Sequence, residues 1–129
     1  MFTLQPFTFT ATLATSLVAA TILPAHAQNN FPSKPVRIVV PFTAGGGTDV
    51  IARMLGMKMG DAWGQPIVIE NRTGAGGTIG ANLVAKATPD GHTLLMSSAA
   101  FAISAALKTD LPYDPIKDFA GVTRIGYAT

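Results

Sequence analysis

The 129-residue chain has no cysteine, two histidines, one tryptophan and only 12% charged residues. Lack of cysteine excludes disulfides, thiolate nucleophiles and cysteine-ligated metals. Two histidines leave little for a zinc site or a nucleophilic triad. His26 lies in a segment expected to be removed, and His92 follows a turn glycine and reads as a surface residue. Charge is equally sparse: nine basic against seven acidic residues, interspersed, for a net +2. Without a basic stripe there is no expected nucleic-acid partner. No apolar run reaches the ~20 residues that a membrane-spanning helix needs. Aliphatic residues are plentiful, 48% of the chain being hydrophobic, which suits a packed α/β domain rather than a disordered segment.

Glycine is abundant and it is placed. The apolar run Val36-Arg37-Ile38-Val39-Val40 leads into Ala44-Gly45-Gly46-Gly47-Thr48-Asp49, after which the spacing is helical. Glycine lets the chain turn through positive φ and leaves no side chain to hold a ligand off. The first N–H groups of a helix have no intrahelical acceptor and carry the positive end of its dipole. An anion therefore sits there without needing a charged side chain. Gly46-Gly47-Thr48 recurs as Gly76-Gly77-Thr78, after Ile67-Val68-Ile69-Glu70. Two such turns at one end of a parallel sheet form an anion-binding cleft, with carboxylates the expected ligands.

Residues 1–27 read as an export signal: Ala11 to Leu23 is apolar, and Ala25-His26-Ala27 has the small-x-small cleavage pattern. Cleavage makes Gln28 the new N-terminus and places the protein in the periplasm. No Lys or Arg precedes Lys34, so the n-region's positive charge is the terminal amine alone. The expected domain is 28–129.

Val36 to Val40 reads as a strand buried on both faces. Thr48 or Asp49 is available to cap the next helix. Ile51, Met54, Leu55 and Met59 fall on one helical face, interrupted by Gly56 and Gly60 and closed by Trp63 as core. A second strand spans Pro66 to Glu70, and Thr78 caps a second helix with a buried stripe of Ile79, Leu83, Val84 and Ala87. Pro89-Asp90-Gly91 turns the chain into a strand from Thr93 to Met96. Ala99 to Leu107 reads as a short helix, and Val122 to Tyr127 as the start of another strand. The fold class is α/β: parallel βαβ units with right-handed crossovers and ligands at the strands' carboxyl ends. The chain reaches Thr129 without a closing element, so it is expected to be an incomplete first lobe.

Five motifs in register carry a resemblance. They are Pro32-Ser33-Lys34-Pro35-Val36-Arg37, Pro41-Phe42 through Gly47-Thr48-Asp49, and Glu70-Asn71-Arg72 with Gly74-Ala75-Gly76-Gly77. Pro89-Asp90-Gly91 and Leu111-Pro112-Tyr113-Asp114-Pro115 with Asp118-Phe119 complete the set. Together they resemble the periplasmic solute-binding proteins of tripartite tricarboxylate transporters, the Bug family. The resemblance implies a periplasmic-binding-protein-like fold, a small carboxylate ligand, and membrane permease subunits as partners. It implies no cofactor and no catalysis. It also implies binding positions, largely through backbone N–H groups. In the first turn these are Phe42, Ala44, Gly45, Gly46, Gly47, Thr48 and Asp49; then come Gly76, Gly77 and Thr78, and finally Ser97 and Ser98. The chain departs from the family in having Thr43 where proline is usual, in Gly56 and Gly60, and in being less than half as long.

Several residues keep two readings. Asp49 is either a helix-start residue or the partner of a ligand ammonium or hydroxyl. Arg72 is either a solvated surface residue or a carboxylate clamp. Ser97 and Ser98 are ligand donors or loop residues, in neither case part of a nucleophile elbow. A small α/β enzyme taking a phosphorylated or nucleotide ligand at the same turns is the alternative function. The motifs weaken it: after Gly74-x-Gly76 a dinucleotide fingerprint needs glycine at position 79, which is Ile79, and no lysine follows either turn as in a P-loop.

Overall fold

A computed structural model of the chain describes residues 31–126. The export signal read over residues 1–27 lies outside the described residues. The element order is β1 (Val36–Val40), α1 (Gly47–Trp63), β2 (Ile67–Asn71), a 3-10 turn (Ala75–Gly77), α2 (Thr78–Ala85), β3 (Thr93–Leu95) and α3 (Ala99–Leu107).

The strands form a parallel sheet in the order β2-β1-β3, with Val36 opposite Ile67 and Arg37 opposite Thr93. Main-chain bonds extend both ladders at the carboxyl ends: Arg72 N–H to Val40 O and Met96 N–H to Val39 O, each 2.9 Å. β1 is central, and its Val36, Val39 and Val40 are fully buried. Successive side chains alternate between faces, so Ile38 and Val40 meet α1 while Val39 points the other way. On the α1 side Ile38, Val40 and Ala52 form the core, with Met59, Ile67, Ile69, Leu94 and Met96 packed against it.

The helices approach the sheet through their smallest residues, which corrects the expected stripes at Ile51, Met54 and Ile79, while Leu55, Met59, Leu83, Val84 and Ala87 are half-buried. In α1 the buried positions are Asp49, Ala52 and Gly56, whereas Ile51, Met54, Met57 and Trp63 are exposed. Gly56 does not interrupt the helix. A Cβ there would sit 3.2 Å from Ile69 Cδ1 and 3.3 Å from Ile67 Cγ2, so the glycine sets how closely α1 lies on β2. In α2 Gly80 and Ala81 are buried and Ile79 is exposed. A Cβ on Gly80 would meet Arg72 O at 2.8 Å and Pro41 Cβ at 2.9 Å. Trp63 packs edge-on against Phe31 outside the core, at 5.7 Å between ring centres.

His92 is buried rather than at the surface, its ring 4.8 Å from that of Phe31 and its backbone N–H bonded to Asp90. No strand forms over the described part of Val122 to Tyr127: residues 121–126 are exposed and irregular. β-propensity acts through a neighbouring strand, and among the described residues no strand pairs with this segment. Phe101 of α3 packs with Tyr113 and Phe119, from the segment that follows, as three rings. Asp114 Oδ1 holds that turn by accepting the Ile116 and Lys117 N–H groups.

Candidate functional site: glycine turns at the carboxyl ends of the sheet

Because all three strands run the same way, the loops after β1, β2 and β3 emerge at one end of the sheet. The first loop tightens through the Gly46 N–H to Thr43 O bond (3.3 Å) and through Gly45, which has φ +81°. Gly46 precedes α1 in extended conformation, with no side-chain cap. Neither Thr48 nor Asp49 caps the helix in the expected way. Asp49 instead reaches back from the first turn, its Oδ2 accepting the Gly45 N–H at 2.7 Å. Gly47 leads the helix with open space where a Cβ would be. Ala44, Gly45 and Gly47 are exposed, while Gly46, Thr48 and Phe42 are half-buried.

Asp49 is only 2% exposed, and its carboxylate is fully engaged by the protein. Arg53 Nε donates to Oδ2 at 3.0 Å, one helical turn on, and Asn71 Nδ2 donates to Oδ1 at 2.9 Å. Arg53, Gly45 and Asn71, in that order of effect, hold the Asp49 carboxyl down to about 2. Donors that bond the charged form favour it, and here they outweigh burial. Asn71 also donates to Phe42 O (3.1 Å) and accepts from Arg53 (3.1 Å). The end of β2 is thus tied to the loop after β1.

The second turn has an unusual backbone. Gly74, Ala75, Gly76 and Gly77 all have positive φ, at 123°, 49°, 68° and 93°. Gly77, not Thr78, is the N-terminal cap of α2. Gly77 lies against Pro41, 3.4 Å from where a Cβ would be to Pro41 Cβ, so the second turn rests on the start of the first. The Thr78 hydroxyl accepts from Lys108 Nζ at 3.0 Å, and Lys108 also donates to Ala75 O at 2.6 Å. In the third loop Ser98 Oγ caps α3 by accepting the Ala100 N–H at 3.3 Å, and Ser97 is half-buried beside it.

Arg72 is turned to Glu70, with which it forms an ion pair, and Glu70 also pairs with Arg37 at 3.2 Å. The residues bracing the turns that sequence reasoning missed are Asn71, Arg53 and Lys108. Arg53 was legible as an i, i+4 partner of Asp49. Lys108 lies 33 positions after Ala75, and no local spacing signals that contact.

The turns offer backbone donors and hydroxyls. The buried His92 belongs to the opposite end, lining a groove of about 420 Å³ with Lys34, Arg37 and Lys86. Among the described residues no group of three or more His, Asp or Glu side chains is placed to hold a metal, and no helix is long and apolar enough to cross a membrane.

The profile of the tripartite tricarboxylate transporter family receptor, TctC, matches residues 51–129. A protein from the TAR-I ttuE-ttuC' intergenic region of Agrobacterium vitis is 49% identical over 108 residues, covering 82% of this chain and 31% of that relative. The chain therefore spans about a third of the length of the curated relatives it matches. Among solved structures, the periplasmic binding protein BugD superposes with TM-score 0.65 at 45% identity, covering 69% of this chain and 30% of BugD. MatC from Rhodopseudomonas palustris with bound malate gives 0.62 at 47% identity, covering 69% and 31%. BugD is a periplasmic binding protein, and the matched part of its fold is the parallel α/β arrangement seen here. The chain belongs to the tripartite tricarboxylate transporter receptor family.

Proposed function

We propose that residues 28–129 contribute the first-lobe half of a carboxylate-binding cleft in a non-catalytic solute receptor, exported to the periplasm after cleavage at Ala27. The receptor delivers its ligand to permease subunits in the membrane. The observation that carries this reading is the joining of two glycine turns at one end of the sheet, through Asn71 and through Pro41 against Gly77. Each turn opens a helix, so N–H groups of Gly47, Thr48 and Asp49 and of Thr78 onward are available to one small anion. Asp49 is a brace in this reading, since its oxygens already have protein donors. Ser97 and Thr48 supply hydroxyls at the rim. Malate, the ligand held by the similar MatC, is the natural probe.

An NMR titration of the ¹⁵N-labelled chain with malate tests the reading. The Gly46, Gly47, Gly76 and Gly77 amide signals are expected to move together and to saturate. Gly46→Val with Gly47→Val should remove the response while the strand amides stay in place. Arg72→Ala should matter far less, because Arg72 is occupied by Glu70. Malate without effect on either turn overturns the reading. Export is tested separately: mass spectrometry of periplasmic protein should find Gln28 at the N-terminus, and intact cytoplasmic chain starting at Met1 would count against it.

A further inference from the structure

α3 comes late in the chain, yet Ser104 within it and Lys108 at its carboxyl-terminal cap close on the carbonyl side of the second glycine turn. Lys108 Nζ donates to Ala75 O at 2.6 Å and to Thr78 Oγ1 at 3.0 Å, and Ser104 Oγ donates to Gly76 O at 3.4 Å. Ala75 is the one non-glycine residue with positive φ among the described residues, at 49°. That backbone conformation is disfavoured for an L residue and persists where its surroundings hold it. A trans peptide is planar, with C=O and N–H on opposite edges. The ammonium that draws the Ala75 carbonyl toward α3 therefore turns the Gly76 N–H to the other side. The Thr78 hydroxyl, accepting from an ammonium, keeps its own proton for an acceptor. Arg72, the cation nearest in sequence, is taken up by Glu70.

We infer that Lys108 is a positioning and specificity-determining residue of the second turn. It fixes the turn with the Gly76 N–H and Thr78 O–H presented to an acceptor, and its charge favours a carboxylate over the corresponding amide. The specificity part rests on the carboxylate reading of these turns; the positioning part does not.

The test compares the full wild-type chain with Lys108→Met and Thr78→Val by NMR. Without ligand, Lys108→Met should displace the Gly76 and Thr78 amide signals and leave the β1 and β2 amides unmoved. Unmoved Gly76 and Thr78 signals overturn the positioning role. With ligand, wild type should prefer malate over its diamide by about tenfold or more, and Lys108→Met should cut that preference to below about threefold. The Gly47 and Thr48 response to malate should persist in the variant. A preference unchanged by Lys108→Met overturns the specificity role. Should Lys108→Met lose its strand amides, Thr78→Val decides: a malate response at Gly76 and Gly77 as strong as in wild type overturns the proposal. A wild-type chain indifferent to malate at both turns sinks the carboxylate reading and the specificity role with it, and the ligand-free comparison still decides the positioning role.

Discussion

Asn71 and Asp49 are joined side chain to side chain at 2.9 Å, linking the last residue of β2 to the first turn of α1. The second N–H of the same Asn71 amide goes to Phe42 O at 3.1 Å, so one side chain closes the loop after β1 from two directions. Asn71→Ala leaves the Phe42 carbonyl and one Asp49 oxygen without this donor. Losing a donor to partly buried acceptors costs about 1–3 kcal/mol. Urea unfolding should show a loss in that range, and an unchanged midpoint would mean that water replaces Asn71 at no cost.

The Asp49 carboxyl, held at about 2 against an ordinary 3.8, makes stability depend on acid. Its folded value is the lower one, so the unfolded chain binds the proton more tightly. The contribution is complete above pH 4 and is lost as pH falls from about 4 through about 2. Asp90, lowered to about 2 chiefly by Lys34 and then by the His92 N–H, acts in the same window. Urea midpoints should therefore fall between pH 4.5 and pH 2.5 and stay nearly level from pH 5 to pH 7. Asp49→Asn should flatten the acid limb, and an acid limb as steep as in wild type would contradict the assignment.

Two helical glycines predict opposite tolerance. Gly80→Ala forces its Cβ against Arg72 O and the Pro41 ring, and backbone cannot give way as a side chain does. Overpacking of this kind costs about 1–3 kcal/mol. Gly56→Ala meets Ile69 Cδ1 and Ile67 Cγ2 closely and Ile67 Cβ at an ordinary 3.6 Å, side-chain atoms rather than main chain, and alanine returns up to about 1 kcal/mol of helix propensity. Thermal melts should show Gly80→Ala clearly below wild type and Gly56→Ala close to it. Equal losses in both would mean that the isoleucines are as immobile as the main chain.

Affinity in the isolated chain should be low. Ala44, Gly45, Gly47, Gly74, Ala75 and Gly76 are exposed, so a carboxylate on them keeps much of its hydration. Periplasmic receptors gain affinity by closing a second lobe over the ligand, and this chain spans about a third of its relatives' length. Calorimetry should give a malate Kd weaker than ~1 mM, about 4 kcal/mol. Micromolar binding would show that the two turns are sufficient without closure.

The strand–turn–helix order was legible because apolar runs such as Val36–Val40 and glycine clusters are local signals. Which helix face meets the sheet was not. Ile51, Met54 and Ile79 have the apolar spacing of a buried stripe, yet Ala52, Gly56, Gly80 and Ala81 occupy the contact. Periodicity weighted by hydrophobicity favours large side chains, whereas close approach to a sheet selects the smallest. Asp49 was legible as a polar residue at a helix start, but its hydrogen bonds were not, since Asn71 meets Asp49 only after β2 is paired; Ser98 read as a ligand donor or loop residue and is the cap of α3. Lys108 at Ala75 is a tertiary contact of the same kind, created by where α3 docks.

The strand order β2-β1-β3 puts the first-made strand in the middle. During synthesis β1 leaves the ribosome first, but its Ile67–Asn71 partner follows a whole helix later, and Thr93–Leu95 follows a second helix. Parallel pairs form only after such crossovers close, and long-range closure is slow. The most apolar of the described strands therefore waits longest, with both edges bare. In the exported receptor proposed above, that delay keeps the three-stranded sheet from assembling until α2 and β3 have been made.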